Sequence, residues 1–172
     1  MSNHRYRYNL DRRTYYRTLL HIAIFTAAGA GFYTLYEGGF ISAWFTSFIV
    51  ALMLLMSLSI PRYITVNSDN LTINCLLDTT EIALDEIVTI EKISPRKIGW
   101  VFPIFGGNGF FGYYGHFFDL RSFQRVVIYA SEWRGMVEIV DIYEDHYYVS
   151  CRERDRLIRE VREYMKSERE EA

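Results

Sequence analysis

Apolar residues gather into two long runs near the start of the chain and then give way to alternation. The first run is Leu19 to Tyr36 and the second is Phe40 to Ile60. Crossing ~30 Å of hydrocarbon takes about 20 helical residues at 1.5 Å each. The second run has 21 residues without a formal charge, and the first has 18. Ala27, Ala28, Gly29, Ala30 and Gly31 in the first run are small enough to let two helix backbones approach closely. Glu37-Gly38-Gly39 separates the runs as a polar turn. The pattern predicts a transmembrane helical hairpin over 19–36 and 40–60.

From Pro61 the period changes to two. Residues 62–67, 70–76, 79–84 and 86–94 alternate between apolar and polar side chains and are rich in β-branched types, with turn residues Asn67-Ser68-Asp69-Asn70 between the first two. Pro95 breaks the pattern. Alternation resumes over 123–130, 136–142 and 146–150. Seven short strands with little helix between them predict an antiparallel sandwich or barrel. The end of the chain reads differently. Ser150-x-x-Glu153 is a capping box, and Leu157, Ile158, Val161 and Met165 follow on one helical face. This helix is expected to close one end of the strand domain as a lid. The division is a basic arm over 1–18, the hairpin over 19–60, a β domain with its helix over 61–168, and a tail over 169–172.

Charge gives the hairpin a direction. Five arginines and one acid lie within 1–18, and Glu37 is the sole formal charge within 19–60. Arg12, Arg13 and Arg17 precede the first run, and Arg62 follows the second. Basic flanks stay on the cytoplasmic side. Both termini are therefore expected in the cytoplasm, with the protein multi-pass in the inner (cytoplasmic) membrane. Tyr15 and Tyr16 among these arginines suit an interface with anionic headgroups, and a simple topology-setting arm accounts for the same residues. A cleaved signal peptide does not fit a run that begins only after eighteen polar, aromatic and basic residues. Residues 61–149 carry 7 basic and 12 acidic residues, a net of -5.

The residue types that carry chemistry are sparse. Cys75 and Cys151 are far apart, and His4, His21, His116 and His146 have no ligand spacing, so neither a metal site nor a redox pair is indicated. The composition gives no basis for nucleic-acid binding. Gly107-x-Gly109-x-x-Gly112 matches a dinucleotide fingerprint in letters only, because aromatic residues follow where a helix should start. No catalytic constellation and no cofactor is expected. The segment from Trp100 to Phe118 holds Phe102, Phe105, Phe110, Phe111, Tyr113, Tyr114 and Phe117, more apolar area than an ordinary exposed loop carries. Either it folds back into the core or it faces lipid or a partner. Arg96, Lys97, Trp100, Phe110, Phe111, Tyr113 and Tyr114 are its candidate binding or interfacial residues.

Seven strands followed by one closing helix is the order of a pleckstrin-homology (PH) domain. Ile82-x-Leu84-x-Glu86-Ile87-x-x-Ile90 resembles the third and fourth strands of bacterial PH-like domains. Gly109-Phe110-Phe111-Gly112-Tyr113-Tyr114-Gly115 resembles the glycine-aromatic stretch in one group of them. Tyr129-Ala130 and Tyr147-Tyr148-Val149-Ser150 resemble its later strands. The resemblance spans Arg62 to Met165, and a membrane hairpin ahead of such a domain is a familiar arrangement. It implies an α+β membrane protein: a two-helix hairpin, then a PH-like seven-stranded antiparallel barrel or sandwich capped by a C-terminal helix. It also implies a binding or scaffolding module without catalysis. Lipid-binding PH domains place Lys and Arg around the first hairpin turn, whereas Asn67 to Asn70 offer no positive charge to a phosphorylated headgroup. A membrane or cytoplasmic protein is therefore the expected partner. A lipid-sensing domain using the aromatic loop, or an accessory subunit of a membrane enzyme or transporter, are the alternatives.

Overall fold

From Arg5 the polypeptide runs in a sheet, leaves it for two helices, and returns to the same sheet. The computed structural model describes residues 4–8, 11–35, 39–58, 60–76, 78–94, 97–98, 100–108, 111–133 and 135–171. Strand β1 (Arg5–Arg7) pairs antiparallel with β2 (Pro61–Val66), placing Tyr6 opposite Ile64. Between them come α1 (Arg12–Leu35) and α2 (Phe40–Leu58). Within the stretch read as a basic arm, 1–18, Arg5–Arg7 form a strand and residues 12–18 the first turns of α1. Arg-Tyr-Arg is polar-apolar-polar, so one side chain turns inward and two outward. Tyr6 is fully buried. Three residues are too few for that period to stand out in sequence.

Helices α1 and α2 pack together, with the Phe32 and Phe45 rings 4.3 Å apart between centroids. Among the described residues one helix, α1, is long and apolar enough to cross a membrane, and α2 has a shorter apolar stretch, Ala43–Leu55. The predicted turn residues Glu37 and Gly38 lie outside the described residues.

Strands β3 (Asn70–Cys75) and β4 (Thr79–Ala83) complete a four-stranded sheet of order β1-β2-β3-β4. The predicted turn at 67–70 closes the β2–β3 hairpin, with Asn67 N donating to Asn70 O at 2.9 Å. The second sheet contains β5 (Ile87–Lys92), β6 (Val101–Asn108), β7 (Tyr113–Asp119), β8 (Gln124–Ala130), β9 (Met136–Asp141) and β10 (His146–Ser150). Its order is β5-β9-β10-β8-β7-β6. The seven predicted strands correspond to β2–β5 and β8–β10. The three additional ones are β1 and the β6–β7 pair, which the glycine-aromatic segment forms. The sheet is also not wholly antiparallel. Strand β10 pairs antiparallel with β9 and lies beside β8 on its other edge, where it runs parallel.

Helix α3 (Arg154–Glu171) packs against β5 and β9. Leu157 and Val161 are fully buried, as expected of a lid. They join Ile64, Leu71, Ile73, Val127 and Ile139 in a core between the two sheets. A second cluster, including Ile98, Phe117, Ile128 and Met136, covers the other face of the six-stranded sheet. Strand β8 is therefore buried on both faces, which explains its unbroken apolar run from Val126 to Ala130. The expected capping box is corrected. The Ser150 hydroxyl accepts from Ser131 N at 2.9 Å and so serves the sheet, while Glu153 O accepts the Leu157 N–H at 3.0 Å at the helix start.

Candidate functional site

The first turns of α1 dock on the strand domain through threonines one turn apart, as side chains at i and i+4 share a helix face. Thr14 Oγ1 donates to Ser131 O at 2.8 Å. Thr18 Oγ1 donates back to Thr14 O at 2.9 Å and accepts from Phe111 N at 2.9 Å. Both threonines are buried. Leu19, the first residue of the apolar run, follows at once. The tip of the β6–β7 hairpin is therefore tied to the point where α1 turns from polar to apolar.

The hairpin divides its aromatic residues between core and surface. Tyr113, Tyr114 and Phe117 are buried. Trp100 is 86% exposed, Phe105 71% and Phe102 67%. Phe123, beyond the β7–β8 turn, is 76% exposed and meets Phe118 edge-on at 6.3 Å. Among the described residues strand β6 lies at the end of its sheet, and no strand pairs with its outer hydrogen-bonding edge. Two glycines let this hairpin close. Gly106 and Gly115 face each other in register, and a Cβ on either would fall 2.0–2.2 Å from a carbonyl oxygen of the opposite strand.

Between α1 and this hairpin runs an open groove of about 460 Å³, lined by Arg13, Arg17, Trp100, Val101, Asn108, Tyr113 and Trp133. Arg17 Nη1 donates to the Tyr113 hydroxyl at 3.0 Å, and its guanidinium lies 5.9 Å from that ring's centroid. Trp133 packs edge-on against the Tyr113 ring at 4.8 Å. Among the described residues no carboxylate forms an ion pair with Arg13 or Arg17. Glu132 lines a different opening, with Arg154. Its carboxyl is pushed up mainly by burial, with Arg154 opposing and Asp11 adding to the shift. No group of three or more metal-ligating side chains occurs among the described residues.

The groove brings together Arg13, Arg17, Trp100 and Tyr113 of the candidates read from sequence. Arg12, Tyr15 and Tyr16 are outside it on α1, and Arg62 is exposed on β2. Lys97 is exposed and pairs with Glu91 at 3.5 Å. Tyr114 is in the main core, where burial raises its hydroxyl pKa. Arg96 and Phe110 lie outside the described residues. Sequence reasoning missed Thr14, Thr18, Asn108 and Trp133. The threonines share the four-residue spacing of Arg13 and Arg17, which was a readable signal. Nothing local marks Trp133, in the connection after β8, as a neighbour of Tyr113.

A family profile described as "Bacterial PH domain" matches residues 62–165. No curated protein and no solved structure gave a match.

Proposed function

We propose that this chain, which belongs to the bacterial PH domain family, is a membrane-anchored, non-catalytic interaction module that binds a protein partner at the cytoplasmic face. The observation that supports the anchoring is α1, long and apolar enough to cross a membrane, and the pairing of β1 with β2 across both apolar helices constrains how it would do so. If α1 crosses a bilayer, the chain must cross back before β2 can lie beside β1. That favours α2 as the returning span and puts the whole strand domain on one side. Five arginines ahead of the apolar run support the cytoplasmic side.

The open edge of β6 and the exposed side chains of Trp100, Phe102 and Phe105 support a protein partner. A free edge accepts an extended segment as an added strand, and apolar side chains beside it give selectivity. Confinement to the bilayer raises the effective concentration of this surface for other membrane-bound proteins. The second reading, a lipid-contacting hairpin, is favoured by one contact, the Phe111–Thr18 hydrogen bond that ties the hairpin tip to the start of the apolar run. A photo-crosslinking residue at Phe105 in native membranes separates the two. A discrete protein adduct, absent when the probe stands at Glu163 on α3, is the expected result. Lipid adducts alone would replace the first reading with the second.

A further inference from the structure

We propose that the groove between α1 and the β6–β7 hairpin binds one anionic membrane phospholipid, with Arg13 and Arg17 taking its phosphate. This rests on the anchoring half of the functional reading, that α1 crosses a bilayer. Depth is the first argument. Arg17 and Arg13 precede Leu19 by two and six residues, which is about 3 Å and 9 Å along a helix. The headgroup layer on each side of the hydrocarbon is about 5–8 Å thick. Arg17 therefore originates within the headgroup layer and Arg13 at its outer margin.

Charge is the second argument. A guanidinium matches two phosphate oxygens through parallel N–H donors. Arg17 spends one donor on the Tyr113 hydroxyl, which holds the group in place and leaves the others free. Arg13 sits one turn earlier on the same helix face and lines the same groove. Neither is neutralised by a carboxylate among the described residues. The walls supply the third argument. Trp100, Tyr113 and Trp133 are amphipathic aromatics, the type that settles at headgroup depth. Val101 and the exposed Trp100 ring offer apolar contact to the glycerol and upper acyl region, and Asn108 offers an amide. Soluble phosphate compounds share the phosphate chemistry but have no use for that apolar wall.

The test is native mass spectrometry of the delipidated full chain in detergent, titrated with phosphatidylglycerol, phosphatidylcholine or glycerol 3-phosphate. One phosphatidylglycerol should be retained in preference to phosphatidylcholine. Arg13→Ala with Arg17→Ala should weaken that retention roughly 30-fold, the worth of two arginines at an anionic surface. The doubly substituted Arg12→Ala, Arg62→Ala chain removes the same charge outside the groove and should retain the lipid distinctly better than the groove variant. Equal losses in the two variants would reduce the effect to general surface charge and overturn the groove. So would equal retention of phosphatidylcholine, or binding of glycerol 3-phosphate as tight as that of the lipid. Arg13→Lys with Arg17→Lys keeps charge and helix propensity, so partial retention there distinguishes a lost site from a lost fold. Alkaline carbonate extraction separates the two levels of failure. Release of the intact chain would sink the anchoring itself, whereas a retained chain without lipid selectivity would sink only the groove.

Discussion

At the scale of single residues, Cys75 and Cys151 behave as small core side chains. Burial pushes each thiol from 9.0 to about 12, with Asp78 adding for Cys75 and a backbone hydrogen bond from Glu153 opposing for Cys151. Above pH 9 the unfolded chain loses these protons while the folded chain keeps them. The unfolded state then binds fewer protons, so stability present in full below pH 9 is lost as pH rises towards 12. Each thiol contributes a slope of up to about 1.36 kcal/mol per pH unit. Denaturant midpoints should fall between pH 9 and 10, and the fall should shrink clearly when Cys75→Ala and Cys151→Ala are combined. A slope unchanged in that variant would place its origin elsewhere. The unpaired character of both thiols was legible from their spacing, but their burial was not. Cys75 follows the alternation of its strand, while Cys151 lies just past β10, where no period applies.

Elements differ in how openly the sequence announces them. Helix α3 was legible because Leu157, Val161 and their neighbours repeat at helical spacing over several turns. The strands β2–β5, β9 and β10 were legible because alternation and turn residues agree, and β8 stands out as a short apolar, β-branched run instead. Strands β6 and β7 were not. Gly106, Gly107 and Gly115 contribute no side chain to a pattern, a register shift between Pro103 and Phe105 breaks the period, and aromatic residues occupy both faces. Strand β1 was invisible because its partner is distant in sequence. Its contribution can be measured. The isolated segment Pro61–Ala172 lacks Tyr6, and with it a fully buried ring and the hydrogen bond to Glu160. Replacing residues 9–59 by a short Gly-Ser turn restores β1 beside β2. That shortened chain should exceed the isolated segment in stability by about 3–5 kcal/mol, the cost of emptying a large aromatic site. Equal urea midpoints for the two would show that β1 is dispensable.

For the whole molecule, the arrangement strand, helix, helix, strand is the organising feature, and the family match begins only at residue 62, inside the last of these four elements. Two pieces of the candidate site, the α1 arginines and the β6–β7 aromatics, fall in parts of the chain that sequence reasoning treated separately. Their juxtaposition depends on the Thr14 and Thr18 contacts, which no pattern along the chain encodes. Gly39→Cys should react with a membrane-impermeant maleimide added to intact cells, and Ser167→Cys should react only after lysis. Labelling of both from the same side would exclude a hairpin that crosses and returns. The β1–β2 pairing also has a consequence for how the protein is made. The first strand leaves the ribosome early, yet it has no partner until the whole of residues 8–60 has been synthesised and β2 emerges. Until β1 lies beside β2, the Tyr6 slot in the core stays empty and the sheet keeps a raw edge. Completion of the sheet thus waits on the return of the chain through both helices, and a chain in which that return fails leaves the edge of β2 open to other strands.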